Sequence, residues 1–243
     1  MGLDDLTEFE IIQGFAGLIS LGITIFIGFI IVSKYFKYKK IELFTVGLMM
    51  IFITSGWWGS TLNFLFYAFF NFEMGDQLYI FISYGLVSLA SIFWIYSFVY
   101  IVYPKLKWKL FSIWLAISIV YTIVFMYYLF TEPSILAVRV TRFDSETRYF
   151  VAGYILLSLL ISLITQYIFL TRSIHSDDAK IRWKGKLIFL GFIVFLIGAI
   201  LDSVIPLTPI ILFLTRILIV VSTVLSYIGW IMPDRVADWL IKK

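Results

Sequence analysis

Seven long runs of apolar residues constrain the fold of this chain more than any other feature of its sequence. A helix needs about 20 consecutive apolar residues to cross a hydrocarbon core of about 30 Å. The strands of a membrane β-barrel would instead be about 10 residues of alternating polarity, a pattern that these runs lack. We therefore predict an all-α, integral membrane bundle of seven transmembrane helices. The predicted spans are residues 9–33, 42–71, 78–103, 110–130, 149–171, 187–205 and 209–231.

The composition agrees with this prediction. The chain is 62% hydrophobic and 14% charged, whereas soluble domains carry about 25% charged residues. The first ten residues are acidic and lack the basic start and the cleavage site of a secretory signal peptide. We therefore expect the first apolar run to be retained as a helix.

The lysines predict the orientation in the membrane. All twelve lie in or beside the loops that follow spans one, three and five, or in the C-terminal tail. The positive-inside rule then places the N-terminus outside and the C-terminus in the cytoplasm of a multi-pass protein of the cell membrane. Residues 1–232 form the predicted transmembrane domain. Residues 233–243 form a short tail, read either as an amphipathic helix on the inner leaflet or as a frayed end anchored by Trp239.

The longest connection, residues 131–149, joins spans four and five and carries charges of both signs. Apolar and polar residues alternate weakly from Val138 to Phe143, which is compatible with a short β-ribbon. We expect no fused output domain in this chain, so signalling would pass through a partner.

Asp202 and Arg216 are the two charged residues that lie well inside the predicted spans. Helical rise places Asp202 about 22 Å from the start of span six and Arg216 about 10 Å below the outer surface on span seven. These depths are similar on adjacent antiparallel helices, so an ion pair is expected. Charges at this depth are costly unless they are paired or hydrated, and they often mark function. A structural pair between the two spans, or an arginine that snorkels to the outer headgroups, is the alternative.

Other aromatic and polar residues fall in the same outer third and predict a ligand pocket open to the outside. The alternative for the tyrosines and Trp58 is an interfacial aromatic belt. Gly56 and Gly59 predict a kink or a close helix approach near the tryptophans. Gln166 lies deeper and is predicted to make an interhelical hydrogen bond. With Asp202 and Arg216, the candidate ligand-binding residues are Trp57, Trp58, Ser60, Tyr84 and Tyr154.

Several kinds of chemistry lack the residues that they need. No predicted span contains a lysine that could hold retinal as a Schiff base, and we expect no other cofactor. His175 is the single histidine, so no metal site is expected. Phosphate-binding glycine loops, nucleophile elbows and pairs of carboxylates within the spans are absent from the sequence. We therefore expect no enzymatic activity and no nucleic-acid partner.

Seven spans, basic inner loops, a second span that contains Trp57 and Trp58, and an outer polar cluster resemble the seven-helix sensor modules of prokaryotic histidine kinases. The layout also resembles that of seven-helix receptors in general. The resemblance implies ligand sensing without catalysis. The leading hypothesis is a stand-alone sensor that binds a small or lipidic ligand and signals to a cytoplasmic partner at the basic loops. The alternatives are a small-molecule transporter and a structural or assembly subunit that uses the glycine face of span one.

Overall fold

The computed structural model describes residues 3–241, and within them seven helices are long and apolar enough to cross a membrane. The chain is therefore a multi-pass, all-helical membrane protein, as its apolar runs predict. The spans, numbered one to seven in chain order, are Glu8–Tyr38, Ile41–Phe70, Asp76–Val102, Lys107–Thr131, Tyr149–Ile174, Ala179–Val204 and Pro209–Ile231.

Span two is broken in its middle. It consists of the helix Ile41–Phe52, a 3₁₀ turn at Ser55–Trp57 and the helix Trp58–Phe70. The side chain of Thr54 donates a hydrogen bond of 3.0 Å to the carbonyl of Ile51, and the next two residues, a serine and a glycine, are a pair that commonly kinks helices. The kink predicted at Gly56 is thus confirmed.

Span three is also irregular. A helix at Asp76–Ile80 passes into a π-helical turn at Phe81–Gly85 before the regular helix Val87–Val102. Such π turns are rare and are frequent at functional sites. The turn lies beside the 3₁₀ turn of span two, so the two irregular segments are neighbours.

Six of the spans form a closed ring in which each packs against the next, in the order one, two, three, five, six, seven and back to one. Span four packs on the outside of span three. The interior of the ring collects buried hydroxyl and amide side chains from several spans. Among them are Thr24, Thr45, Gln166, Ser222 and Thr223.

Spans one and two approach closely at Gly28 and Gly47. A Cβ atom added at Gly47 would lie 2.5 Å from Cγ2 of Val32 and 2.8 Å from the carbonyl oxygen of Gly28. A Cβ at Gly28 would in turn meet Ile51 at 2.5 Å. Small residues let helix backbones come together in a membrane, so Gly28 and Gly47 account for this close approach.

Span six begins at Ala179, well before residue 187, where the apolar run starts. Asp178 caps this helix by accepting a hydrogen bond of 2.7 Å from the backbone N–H of Lys180. Lys184 and Lys186 therefore lie on helical turns and not in a loop. Hydropathy identifies only the apolar part of a helix, and a capped helix can continue past the hydrocarbon with lysine side chains at its polar end.

The connection between spans four and five forms a β-hairpin. A 3₁₀ turn at Pro133–Ile135 leads into strand β1, Ala137–Thr141, which pairs antiparallel with strand β2, Asp144–Thr147. The short β-ribbon that the weak alternation of apolar and polar residues at 138–143 allows is therefore present. We call the end of the bundle that contains the hairpin and residues 71–75 and 205–208 the hairpin end, and the end that contains residues 39–40, 103–106 and 175–178 the basic end.

A short helix, Asp234–Ile241, follows span seven at the basic end, and its helical form agrees with the amphipathic reading of the tail. Lys180 Nζ lies 3.4 Å from Oδ1 of Asp234, which ties the tail to the start of span six. Residues 242 and 243, the last two lysines of the predicted tail, lie outside the described part of the chain.

Candidate functional site

Asp202 and Arg216 form the ion pair that their depths predict. Arg216 Nη1 lies 3.1 Å from Asp202 Oδ1, and the two side chains are only 10% and 12% exposed, respectively. The turn between spans six and seven places Arg216 opposite Asp202. Thr208 accepts a hydrogen bond of 3.4 Å from the N–H of Ile211, and Pro209 occupies the first position of span seven. Capping and proline both favour a helix start at this point.

The Asp202 carboxylate of span six contacts groups from two other spans. Its Oδ2 accepts a hydrogen bond of 2.5 Å from the indole N–H of Trp57 in span two. Its Oδ1 accepts one of 3.0 Å from the hydroxyl of Thr215 in span seven. The guanidinium of Arg216 lies 5.5 Å from the centre of the Trp57 ring. We call Trp57, Asp202, Thr215 and Arg216 the polar cluster.

The side chain of Arg216 makes fewer hydrogen bonds than that of Asp202. Its Nε and Nη1 atoms are buried and make no hydrogen bond within residues 3–241. The contact between Nη1 and Asp202 Oδ1 is therefore short but poorly aligned for hydrogen bonding, so its attraction is mainly between charges. A buried guanidinium with free donors is unusual, because buried polar groups are normally hydrogen-bonded. The cluster thus has unused donor capacity.

The hairpin is held at one end of the bundle by its turn. The side chain of Phe143 is 1% exposed and packs in a cluster with Leu6 and Phe64. Gln13 of span one donates a hydrogen bond of 3.3 Å to the carbonyl of Phe143, and Asn63 of span two donates one of 2.8 Å to the carbonyl of Arg142. These contacts hold the turn of the hairpin down against spans one and two.

Arg139 fixes the first strand of the hairpin to the loop between spans two and three. Its guanidinium lies 2.8 Å from Glu73 and 3.2 Å from Asp76 and donates hydrogen bonds to two backbone carbonyls. It also lies 4.9 Å from the centre of the Tyr79 ring. Hydrogen-bonded arginine pairs of this kind are stronger than single exposed ion pairs. These contacts therefore fix the hairpin to the loop between spans two and three.

Asp144 begins the second strand of the hairpin and lies near enough to Asp202 and Arg216 for their charges to act on it. Burial raises the pKa of the Asp144 carboxyl above its ordinary value of 3.8, and the charges of Asp202 and Glu146 raise it further. The hydrogen bond of 2.9 Å from the N–H of Ser145 and the charge of Arg216 act in the opposite direction. The charges of two carboxylates and one guanidinium thus act on one another at the hairpin end.

Replacing Asp144 with asparagine is expected to stabilise the protein at neutral pH. Because the pKa is raised in the folded state, folding favours the protonated carboxyl, and the free energy of unfolding rises as the pH falls from neutral through the folded pKa. The stability difference between Asp144→Asn and the wild type should therefore shrink toward pH 4. Thermal unfolding across that pH range measures this difference. Glu132→Gln, an exposed change nearby, should keep the wild-type pH dependence, and a neutral-pH loss in Asp144→Asn would contradict the account.

The remaining predicted site residues do not gather around the polar cluster. Trp58 donates a hydrogen bond of 3.3 Å to the hydroxyl of Thr54, and Ser60 is half-buried in span two. Tyr84 contacts the hairpin, with its hydroxyl 2.8 Å from that of Ser145. The structure therefore brings together Trp57, Asp202 and Arg216 and places Tyr84 beside the hairpin.

Tyr154 belongs to a separate cluster between spans three, four and five. Its ring stacks on that of Tyr121 at 3.8 Å between centres, and its hydroxyl lies 2.9 Å from that of Ser118 and 3.3 Å from that of Ser91. These groups satisfy one another, which is the pattern of a structural polar network.

Sequence analysis missed Asp144, Thr215, Gln13 and Asn63. The hairpin brings the charge of Asp144 within electrostatic range of the polar cluster, and Gln13 and Asn63 donate hydrogen bonds to the backbone of the hairpin. Spacing along a single helix carries no sign of these contacts, although Thr215 could have been found because it directly precedes Arg216. His175 lies at the basic end, where its Nδ1 is 2.6 Å from the carbonyl oxygen of Thr171.

The hydrogen bonding of Gln166 differs from what the sequence predicts. Its side-chain oxygen is buried and makes no hydrogen bond within the described residues, so the predicted interhelical bond from this atom is wrong. Gln166 instead lines an interior cavity of about 30 Å³ that also contacts Thr24, Thr54, Phe195 and Ser222. Phe195 packs edge-on against Trp57 at 6.2 Å between ring centres, so the lining of the cavity contacts the polar cluster through this aromatic pair.

We compared the chain with protein-family models, with curated proteins and with solved structures. None of the three comparisons finds a match. The functional argument therefore depends on the geometry of this chain alone.

Proposed function

We propose that this chain is a stand-alone seven-helix sensor of the cell membrane, without enzymatic activity, that binds a small ligand at the polar cluster. We take the hairpin end as the outside, because the lysines concentrate at the opposite end. The observation that carries the proposal is the buried Asp202–Arg216 pair, joined by Trp57 so that spans two, six and seven meet at one carboxylate. Intramembrane charges of this kind are functional sites by default.

The charges of the cluster favour a particular class of ligand. The Nε donor of Arg216, which has no partner within residues 3–241, calls for an acceptor, such as a carboxylate or phosphate oxygen. Asp144 and Asp202 call for a donor or a positive charge. A small zwitterion, such as an amino acid or a betaine, satisfies both requirements, as would the headgroup of a zwitterionic lipid. A purely anionic ligand would meet two carboxylates and is disfavoured.

The ligand would enter by displacing the hairpin. In this structure the side chains of Asp202 and Arg216 are about nine-tenths buried, and the hairpin is held by Gln13, Asn63 and Arg139. A ligand that binds better to an open hairpin shifts the population toward that state by its difference in affinity. The closed structure would then be the unliganded state of the sensor.

Spans six and seven offer a route from the polar cluster to the basic end. They pack closely along their length, with Gly191 against Ser226 and Gly229 against Ile188. Lys184 at the start of span six donates a hydrogen bond of 3.1 Å to the carbonyl of Trp230 at the end of span seven. A shift at the ion pair would thus move residues 179–186, the start of span six, as part of a rigid helix pair, together with the connection 175–178 that leads into it. A cytoplasmic partner would detect that shift.

The ligand is expected to be found by thermal unfolding of the purified protein with a panel of free amino acids, betaines and short-chain phosphatidylcholine. At least one compound should raise the unfolding temperature of the wild type and of the exposed control Glu132→Gln. Asp202→Asn should lose that shift, because the carboxylate that orders the cluster is gone. An equal shift in Asp202→Asn would remove the polar cluster from the binding site.

A transporter is the second candidate function. The broken span two and the interior cavity beside it favour this alternative, because many transporters bind substrate at discontinuous helices near the midplane. Uptake of the same compound into proteoliposomes would support transport, whereas binding without uptake supports a sensor.

A structural subunit has less support. Gly14, Gly17 and Gly28 of span one contact span two of the same chain, and only Gly22 on that span has open space around it. The predicted glycine interface is therefore already used within the monomer.

A further inference from the structure

The interior cavity lies within the helical ring, at the break in span two. Its lining comes from spans one, two, five, six and seven, and its volume of about 30 Å³ has room for about two waters. Met50, Ile53 and Thr54 contribute the side from span two, which is where the first half of that span ends. The polar residues of the lining are Thr24, Thr54, Gln166, Ser222, Thr223 and Ser226.

The hydroxyl groups of the cavity present oxygen lone pairs and few hydrogens. Ser222 donates its proton to the carbonyl of Ile219 at 2.7 Å, and Thr223 donates to the same carbonyl at 2.9 Å. Thr24 donates to Ser20 at 2.9 Å and lies 3.1 Å from the hydroxyl of Thr223. Because these protons are committed to backbone carbonyls, the oxygens remain available as acceptors.

Gln166 adds an acceptor that has no donor. The residue is 4% exposed, and its Oε1 atom makes no hydrogen bond within residues 3–241. A buried carbonyl oxygen without a partner costs about 1–3 kcal/mol, so a native structure normally supplies one. Among the polar lining residues, the further side-chain protons without a partner in residues 3–241 are those of Ser226 and of the Gln166 amide nitrogen.

The break in span two adds a favourable electrostatic term for a cation. The helix Ile41–Phe52 ends at the cavity, and the C-terminal end of a helix carries the negative end of its dipole. Hard monovalent cations are bound in membranes by neutral oxygens, including the carbonyl ends of broken helices. A partly dehydrated sodium ion with one water fits the volume.

We propose that this cavity binds one sodium ion, coordinated by Gln166 Oε1 and by hydroxyl oxygens of spans one and seven. The bound ion would hold spans one, five and seven together beside the break in span two. The proposal does not depend on the ligand of the polar cluster, because the ion occupies a different site within the ring.

The test is thermal unfolding of the full-length protein in sodium, potassium and choline chloride at equal ionic strength. Sodium is expected to raise the unfolding temperature by about 2–4 °C over the other two salts. Gln166→Leu and Ser222→Ala should remove the sodium-specific shift. Ser158→Ala is the matched control, since Ser158 is a buried hydroxyl of span five that also lacks a partner within residues 3–241 but does not line the cavity.

Equal unfolding temperatures for the wild type in the three salts would overturn the proposal and indicate that the cavity holds water only. A sodium shift that persists in both Gln166→Leu and Ser222→Ala would also overturn it, because the ion would then bind elsewhere. Asp202→Asn should keep the sodium shift while it loses the ligand shift, so the two proposals fail independently.

Discussion

Replacing Arg216 with methionine is expected to lower the free energy of unfolding by about 3–5 kcal/mol, the usual cost of removing one partner from a buried ion pair. The cost arises because the Asp202 carboxylate stays buried and loses the charge 3.1 Å away, although Trp57 and Thr215 still donate to it. Unfolding in a graded mixture of detergents measures the change. Arg235→Met in the exposed tail helix is the matched control and should change stability little.

The double variant Asp202→Asn with Arg216→Met should be more stable than the sum of the two single changes predicts. Removing both charges leaves no uncompensated ion, so we expect a coupling energy of about 1–3 kcal/mol. If Arg216→Met costs no more than Arg235→Met, the ion pair is not a structural link between spans six and seven.

Replacing Gly47 with alanine is expected to cost about 1–3 kcal/mol, the typical cost of overpacking. The new Cβ would meet the backbone of span one, since it would lie 2.8 Å from the amide nitrogen of Val32 and from the carbonyl oxygen of Gly28. Backbone atoms cannot rotate away as a side chain can, so the two helices must separate. The yield of folded protein and the unfolding temperature both report the change.

Gly22→Ala is the matched control for Gly47→Ala. Gly22 is an exposed helical glycine on span one, and an added Cβ has no neighbour within 4 Å. Alanine should be neutral or stabilise the helix by up to about 1 kcal/mol. Equal effects of the two changes would mean that the approach of spans one and two is not limited by backbone contact.

Much of the fold could be predicted because a membrane imposes a simple rule on helices. The apolar length of each run gives the seven spans, and Gly56 gives the kink in span two. The start of span six could not be predicted, because the turns with Lys180 and Lys184 are polar and hydropathy does not recognise them as helix.

The candidate site could be predicted only in part. The depths of Asp202 and Arg216 follow from helical rise, and their pairing follows from the short turn between adjacent spans. The arrangement of the hairpin depends on contacts between distant segments, such as Gln13 with Phe143 and Asn63 with Arg142. The separate place of Tyr154 has the same origin, since depth in the membrane says nothing about which side of a helix meets which neighbour.

The central claim is that a small ligand opens the hairpin at the polar cluster, and hydrogen exchange of the backbone amides of residues 137–147 tests it most directly. The compound that stabilises the wild type in the thermal screen should make these amides exchange faster, while amides within spans six and seven keep their protection. In Asp202→Asn the same compound should change nothing. Unchanged exchange of the hairpin in the wild type with that compound bound would contradict the account, because the ligand would then bind without displacing the hairpin.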